Sequence, residues 1–238
     1  MNLSTVSFNL NKIVELKQKE LGTEESEDVD LLQIAMQSID KRINYCKYHY
    51  QEFQRNSCDK ALLQERLDSS FDGKSIRVIY EASVIAFLQN LHSLIDSFPY
   101  ALNLIDNKFK IESQAVGWNK DFIEKYKRFG YHEKLDGIYS NSIYHKLKGL
   151  VNRTKHKHLV RIKNTGVALI FEKISFYSNG EIQVINGQDV NQFLIECYDK
   201  LLPEFLTLCN AVEKNKENEA LINCYASLHL KGFTSIYK

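Results

Sequence analysis

A chain of 238 residues, 44% hydrophobic and 26% charged, can bury an ordinary globular core as one large domain or two small ones. Its formal net charge of +1 excludes a polyelectrolyte, so attraction to nucleic acid or membrane must come from a local patch. Two prolines, Pro99 and Pro203, and only ten glycines exclude a breaker-rich linker and favour long helices.

Residues 4 to 21 are predicted to form a first helix, with Phe8, Ile13, Val14 and Leu21 at helical spacing and Gly22 as its stop. Glu24, Glu25, Glu27, Asp28 and Asp30 follow as a solvated loop and the first turn of the next helix, where negative charge suits the dipole. That helix is predicted from Asp30 to about Leu67, with Leu31, Ala35, Ile39, Ile43, Cys46, Tyr50 and Phe53 inward, a possible break at Asn56 to Asp59, and a turn at Ser69 to Gly73. Lys74 to Asn107 is apolar most of the way round and is predicted to be the central helix, kinked or ended by Pro99.

Trp118, Phe122 and Tyr126 suggest a short packed helix, with breaks at Gly130 and Gly137. Ser140 or Asn141 can cap a helix running to about Lys163, whose inward stripe would be Ile143, Leu147, Leu150 or Val151, Thr154 and His158. Val167 to Phe176 and Glu181 to Ile185 are β-rich and joined by Ser178-Asn179-Gly180, a hairpin turn. Asn191 to Cys209 returns to helix with an interruption at Pro203, and Ala220 to Leu230 makes a last short helix. The fold class expected is mainly α, a helical bundle with a small β-hairpin insertion near residues 167–186, in a single domain over 1–238.

The five cysteines (Cys46, Cys58, Cys197, Cys209, Cys224) are odd in number and lack zinc-knuckle spacing, so buried reduced thiols are expected. Met1 to Leu10 has no charged region followed by an apolar run, and no stretch of about 18 apolar residues stands out. A cytoplasmic protein without a membrane span is expected, with no cofactor and no metal ligand set. Phosphate-binding glycine loops, the nucleophile elbow and the zinc-protease motif are absent from the sequence, which removes the easily read enzyme classes.

From Ser140 to Phe171 the chain carries Lys146, Lys148, Arg153, Lys155, Lys157, Arg161 and Lys163 but no Asp or Glu, together with His145, His156 and His158. Such a run either solvates an exposed face or gathers phosphates by releasing counterions. Within it, Arg153 and His158 have Arg-x4-His spacing, preceded by Asn152. Positions five apart diverge by about 140° on a continuous helix. Asn152 and His156, four apart, and Arg153 and His156, three apart, lie on one side. Either the helix breaks inside the motif, or His156 is the working histidine, or the site is assembled across a dimer.

In the segment Asn152-Arg153-Thr154-Lys155-His156-Lys157-His158-Leu159-Val160 the sequence resembles the HEPN superfamily of α-helical proteins, many of them RNases of toxin–antitoxin and phage-defence systems. The earlier helix at Leu91-His92-Ser93-Leu94-Ile95-Asp96 resembles that family too, and the likeness covers about residues 75 to 165. It implies a HEPN-like helical core and a homodimer pairing two motif copies, and it does not account for the hairpin at 166–186 or the C-terminal helices at 188–230. It also implies metal-independent cleavage of RNA with Arg153 and His158 as candidates, His156 as the alternative histidine, and Asn152 orienting the phosphate. Lys155, Lys157 and Arg161 would bind substrate, and Asp96 with His92 would hold the basic residues in place.

Chemically, a histidine titrating near neutrality suits removal of the 2′-hydroxyl proton, and an arginine suits the charge that builds on the phosphate. Two alternatives stand beside this. One is a non-catalytic HEPN-like module binding a nucleotide, RNA or a protein partner such as an antitoxin. The other is a helical interaction or immunity-type protein in which the motif is accidental.

Overall fold

The computed structural model describes residues 9–22, 26–57, 76–109, 114–178 and 180–234, without the side chains of residues 10 and 224–234. Phe8, the 69–73 turn, Asp59, Cys58, Asn179 and the Cys224 thiol therefore lie outside the described residues. The chain is mainly α, as expected, with strands in two small antiparallel pairs. It divides into two compact units interleaved along the sequence. One comprises 39–97 with 137–204; the other comprises 2–38, 98–136 and 205–238.

The second-named unit contains α1 (Leu10–Leu21), the start of α2 (Glu27–Ser57), α4 (Phe98–Asp106), α5 (Lys120–Glu124), the start of α6 (His132–Ser140) and most of α9 (Leu202–Thr234). Gly22 ends α1 with φ +68°, a conformation that costs a glycine little, and its N–H bonds the Gln18 carbonyl. The core here is aromatic: Phe98 meets Phe205 edge-on at 5.2 Å, and Phe122 lies 5.0 Å from Tyr126. A polar cluster is buried beside it. Lys216 is 2.8 Å from Asp106, and Tyr131 donates to the other Asp106 oxygen at 2.6 Å.

The unit that carries the basic motif contains the rest of α2, α3 (Ile76–Asp96), the end of α6, α7 (Ser142–His156), all four strands and α8 (Val190–Glu196). In α2 the residues buried are Val29, Leu32, Met36, Ile39, Ile43, Cys46, Tyr50 and Phe53, an unbroken three–four alternation. The predicted stripe is right from Ile39 onward and one residue early before it, since Leu31 and Ala35 are half-buried neighbours of Leu32 and Met36. Tyr50 stacks on Tyr198 at 3.7 Å, and Cys46, Cys197 and Cys209 are buried free thiols.

α3 packs against α7 and is buried through Tyr80, Val84, Phe87, Leu88, Leu91, Leu94 and Ile95. It ends at Asp96 and α4 restarts at Phe98, so Pro99 sits in the first turn of a new helix, where its missing N–H costs nothing. The run Ile76–Asp106 has a window of mean hydropathy 1.3, long and apolar enough by length and composition alone to cross a membrane. Half of that window is buried inside the protein, as in a core helix.

Four boundaries differ from the sequence-based expectations. Gly137 does not break the chain but lies within α6. Pro203 does not interrupt the last helix either. Cys197–Leu201 widens into a π-helical turn closed by the Leu202 N–H on the Cys197 carbonyl, and α9 then continues to Thr234 without a separate helix at 220–230. The wider turn makes room where the proline ring would meet the carbonyl of residue 199. α7 stops at His156 rather than near Lys163, and β1 (Ile162–Asn164) forms instead, pairing with β2 (Leu169–Phe171).

The long strand predicted at 167–176 is split. β3 (Ile174–Ser178) pairs with β4 (Glu181–Ile185), and Ser178 opposite Glu181 closes the predicted turn, with Gly180 at φ +85°. The insertion is therefore two hairpins. Phe171 of the first meets Phe193 of α8 edge-on at 5.9 Å.

Candidate functional site: a basic groove between α7 and β3

Asn141 starts α7 by accepting the backbone N–H groups of Ile143 and Tyr144 at 2.8 and 3.1 Å. The helix then presents two faces. Tyr144, Leu147, Leu150 and Val151 are buried. His145, Lys148, Gly149, Asn152, Arg153 and His156 recur at steps of three, four and one, and so share the other side.

With Lys157 and strand residues Ser175 to Ser178, that second face lines an open cavity of about 280 Å³. The wall is held close by what Gly149 lacks. A Cβ there would come within 2.6 Å of the Phe176 ring, so the aromatic side chain rests directly on the helix backbone. No carboxylate lines the cavity among the described residues.

The motif residues separate at the end of α7. Lys157 leaves the helix at φ −128° and ψ −80°, although its N–H still bonds the Arg153 carbonyl at 3.0 Å. Asn152, Arg153, His156 and Lys157 stay with the groove. Arg153 is half-buried, and its Nε–H is enclosed without an acceptor among the described residues.

His158 turns elsewhere. It is 51% exposed rather than on the predicted apolar stripe, and its Nε2 lies 3.2 Å from Glu172. Arg161 holds the same carboxylate through its backbone N–H and its Nε, each at 3.2 Å. Burial pushes the Glu172 carboxyl up, but the Arg161 N–H, the guanidinium and His158 outweigh it and hold it below the ordinary range. His158 and Arg161 are thus both engaged at the β1–β2 hairpin and do not line the groove. Lys155 is exposed and also outside it.

The two α3 candidates are not alike. Asp96 is exposed at the end of its helix, where a buried partner of a cation was expected. His92 is buried to 2% exposure, and neither ring nitrogen has a partner among the described residues. Its ring lies 6.3 Å from that of Tyr144. Burial pulls its pKa down to about 4; Asp96 opposes this, and Lys155 and Lys148 reinforce it. His92 is therefore neutral at pH 7 and sits behind α7 rather than in the groove.

His145 and Ser178 have the closest polar contact of the groove, with Ser178 Oγ 2.8 Å from His145 Nδ1. Burial first, then Lys148, lowers the His145 pKa, while a hydrogen bond to the Tyr139 backbone works the other way. Stepping back from His156 by helical intervals would have found His145, Lys148 and Gly149. Nothing local marks Ser178, because β3 reaches the groove only through tertiary packing.

The chain matches no family model, no curated protein and no solved structure.

Proposed function

We propose that the α7–β3 groove binds RNA by its phosphates and cleaves it without a metal ion, as the HEPN resemblance implies. The observation that carries this reading is an acid-free groove in which Asn152, Arg153 and His156 share one end with Lys157, and Lys148 extends the positive lining. Arg153 and His156 are three residues apart, about 4.5 Å of helix rise, on one side. In this reading His156, not His158, exchanges the proton with the 2′-hydroxyl or the leaving oxygen. Arg153 takes the charge that develops on the phosphorus oxygens through donors that have no carboxylate to hold them. Asn152 orients the phosphate. A toxin or phage-defence role and a homodimer belong to the same proposal.

One observation favours a second reading, a binding module without catalysis. The histidine at Arg-x4-His spacing, His158, is tied to Glu172 outside the groove. Cleavage of total RNA by the purified protein in excess EDTA separates the two. Loss of cleavage by about 100-fold or more in both Arg153→Ala and His156→Ala, with His158→Ala unaffected, is the expected result. Intact RNA with wild type, together with retained RNA binding, would select the binding module.

A further inference from the structure

His145 lies eight residues before Arg153 on α7, which is about 12 Å of helix rise, so the two ends of the groove are separate subsites. The His145 end has a composition the RNA reading does not use. Ser178 Oγ and His145 Nδ1 are in hydrogen-bond contact at 2.8 Å. The Tyr139 backbone also acts on the imidazole, in the direction that raises its pKa, and the Tyr139 ring lies edge-on at 6.4 Å. Lys148 lines the same wall one helical turn further on, close enough to act on the His145 charge. A hydroxyl, a base in contact with it and a nearby cation are parts that an activated nucleophile needs.

We infer that Ser178 and His145 form a nucleophile–base pair for acyl transfer from a carboxylic ester that carries an anionic group. Ser178 Oγ attacks the carbonyl carbon, forming the Oγ–C bond, while its proton passes to His145 Nδ1. Lys148 favours the oxyanion that results. The ester C–O bond then breaks, and the alcohol departs with the proton held by His145. A water molecule, deprotonated by His145, then attacks the acyl carbon, the Oγ–C bond breaks, and His145 returns the proton to Ser178 Oγ as the acid leaves. For Nδ1 to accept the serine proton the ring must be neutral, and burial beside Lys148 keeps it so. Lys148 at the same end of the groove is the reason the ester is anionic.

The inference does not rest on the RNA reading, and its test needs no RNA. The full chain is treated with a fluorophosphonate probe at pH 8 and the intact mass recorded, for wild type, Ser178→Ala, His145→Ala and Lys148→Ala, each checked for native helicity by circular dichroism. A single adduct mapped to Ser178 is expected, absent from Ser178→Ala and formed at least ~100-fold more slowly in His145→Ala. In parallel, wild type should hydrolyse 4-nitrophenyl hemisuccinate faster than 4-nitrophenyl acetate, and Lys148→Ala should erase that preference. An unmodified wild type, an adduct that persists in Ser178→Ala, or labelling indifferent to His145→Ala overturns the pair. Equal rates on the two esters overturn the anionic substrate class.

Discussion

Two charged regions of this molecule are built on opposite terms. In the unit containing α1, α4 and most of α9, the Asp106 carboxylate is almost completely buried and the largely buried Lys216 lies 2.8 Å from it, with Tyr131 and the more exposed Glu219 completing the cluster. Burial pulls the Lys216 pKa down, and Asp106 with Glu219 more than reverses it, so the lysine stays charged because each donor has an acceptor. In the α7–β3 groove, cations face a cavity with no carboxylate in its lining, and the Arg153 Nε–H has no acceptor among the described residues. The Lys216 cluster is complete, and its charges contribute to holding the fold. Those of the groove have no carboxylate beside them in its lining among the described residues, the condition that the proposed anion binding requires.

The largest expected effect that tests this contrast is on the paired side. Asp106→Ala strands Lys216 and the Tyr131 hydroxyl and should cost about 3 kcal/mol of stability, against less than about 0.5 kcal/mol for Arg153→Ala, measured by urea unfolding. Equal costs would erase the distinction between a structural and a receptive cluster.

His92 supplies a third condition, a buried titratable group whose ring nitrogens have no hydrogen-bond partner among the described residues. Its folded-state pKa of about 4 is below the ordinary 6.5, so the unfolded chain binds the extra proton between those values. Stability from this group is fully present above pH 6.5 and is lost as pH falls towards 4, by about 3 kcal/mol in all. His92→Leu should remove that pH dependence and leave stability at pH 7 unchanged or higher, since no hydrogen bond is lost. A large loss at pH 7 would show that the ring has a partner after all.

A comparably small effect is expected at the exposed pair. His158→Ala should lower stability by only about 0.5 kcal/mol, with the RNA binding proposed for the groove unchanged in a filter assay. A collapse of binding would return His158 to the site and undo the separation drawn at Lys157.

Much of the helical scaffold was legible because its signals are local. Gly22 and Pro99 mark chain breaks by backbone chemistry alone, and the burial of Ile39, Ile43, Cys46, Tyr50 and Phe53 follows their spacing. The end of α7 was not legible, since Lys155 to Lys163 contains neither glycine nor proline, and the turn at Lys157 carries no signature of its own. The misplaced histidine follows directly from that missed boundary. Half of the groove was visible as a basic face on α7. Its other wall comes from β3, and the pairing of Ser178 with His145 spans 33 residues that no local pattern connects.

Gly149 carries a consequence for anyone who would engineer this chain. In mid-helix a glycine is less favourable than alanine by about 1 kcal/mol, and a consensus or propensity-guided redesign would replace it first. Here local preference and tertiary fit pull in opposite directions. The methyl group that improves α7 would collide with Phe176, which sits where it does only because there is nothing at that position to touch. A replacement of Gly149 guided by helix propensity alone would therefore be expected to pry the β3–β4 hairpin from the helix and take away one wall of the groove.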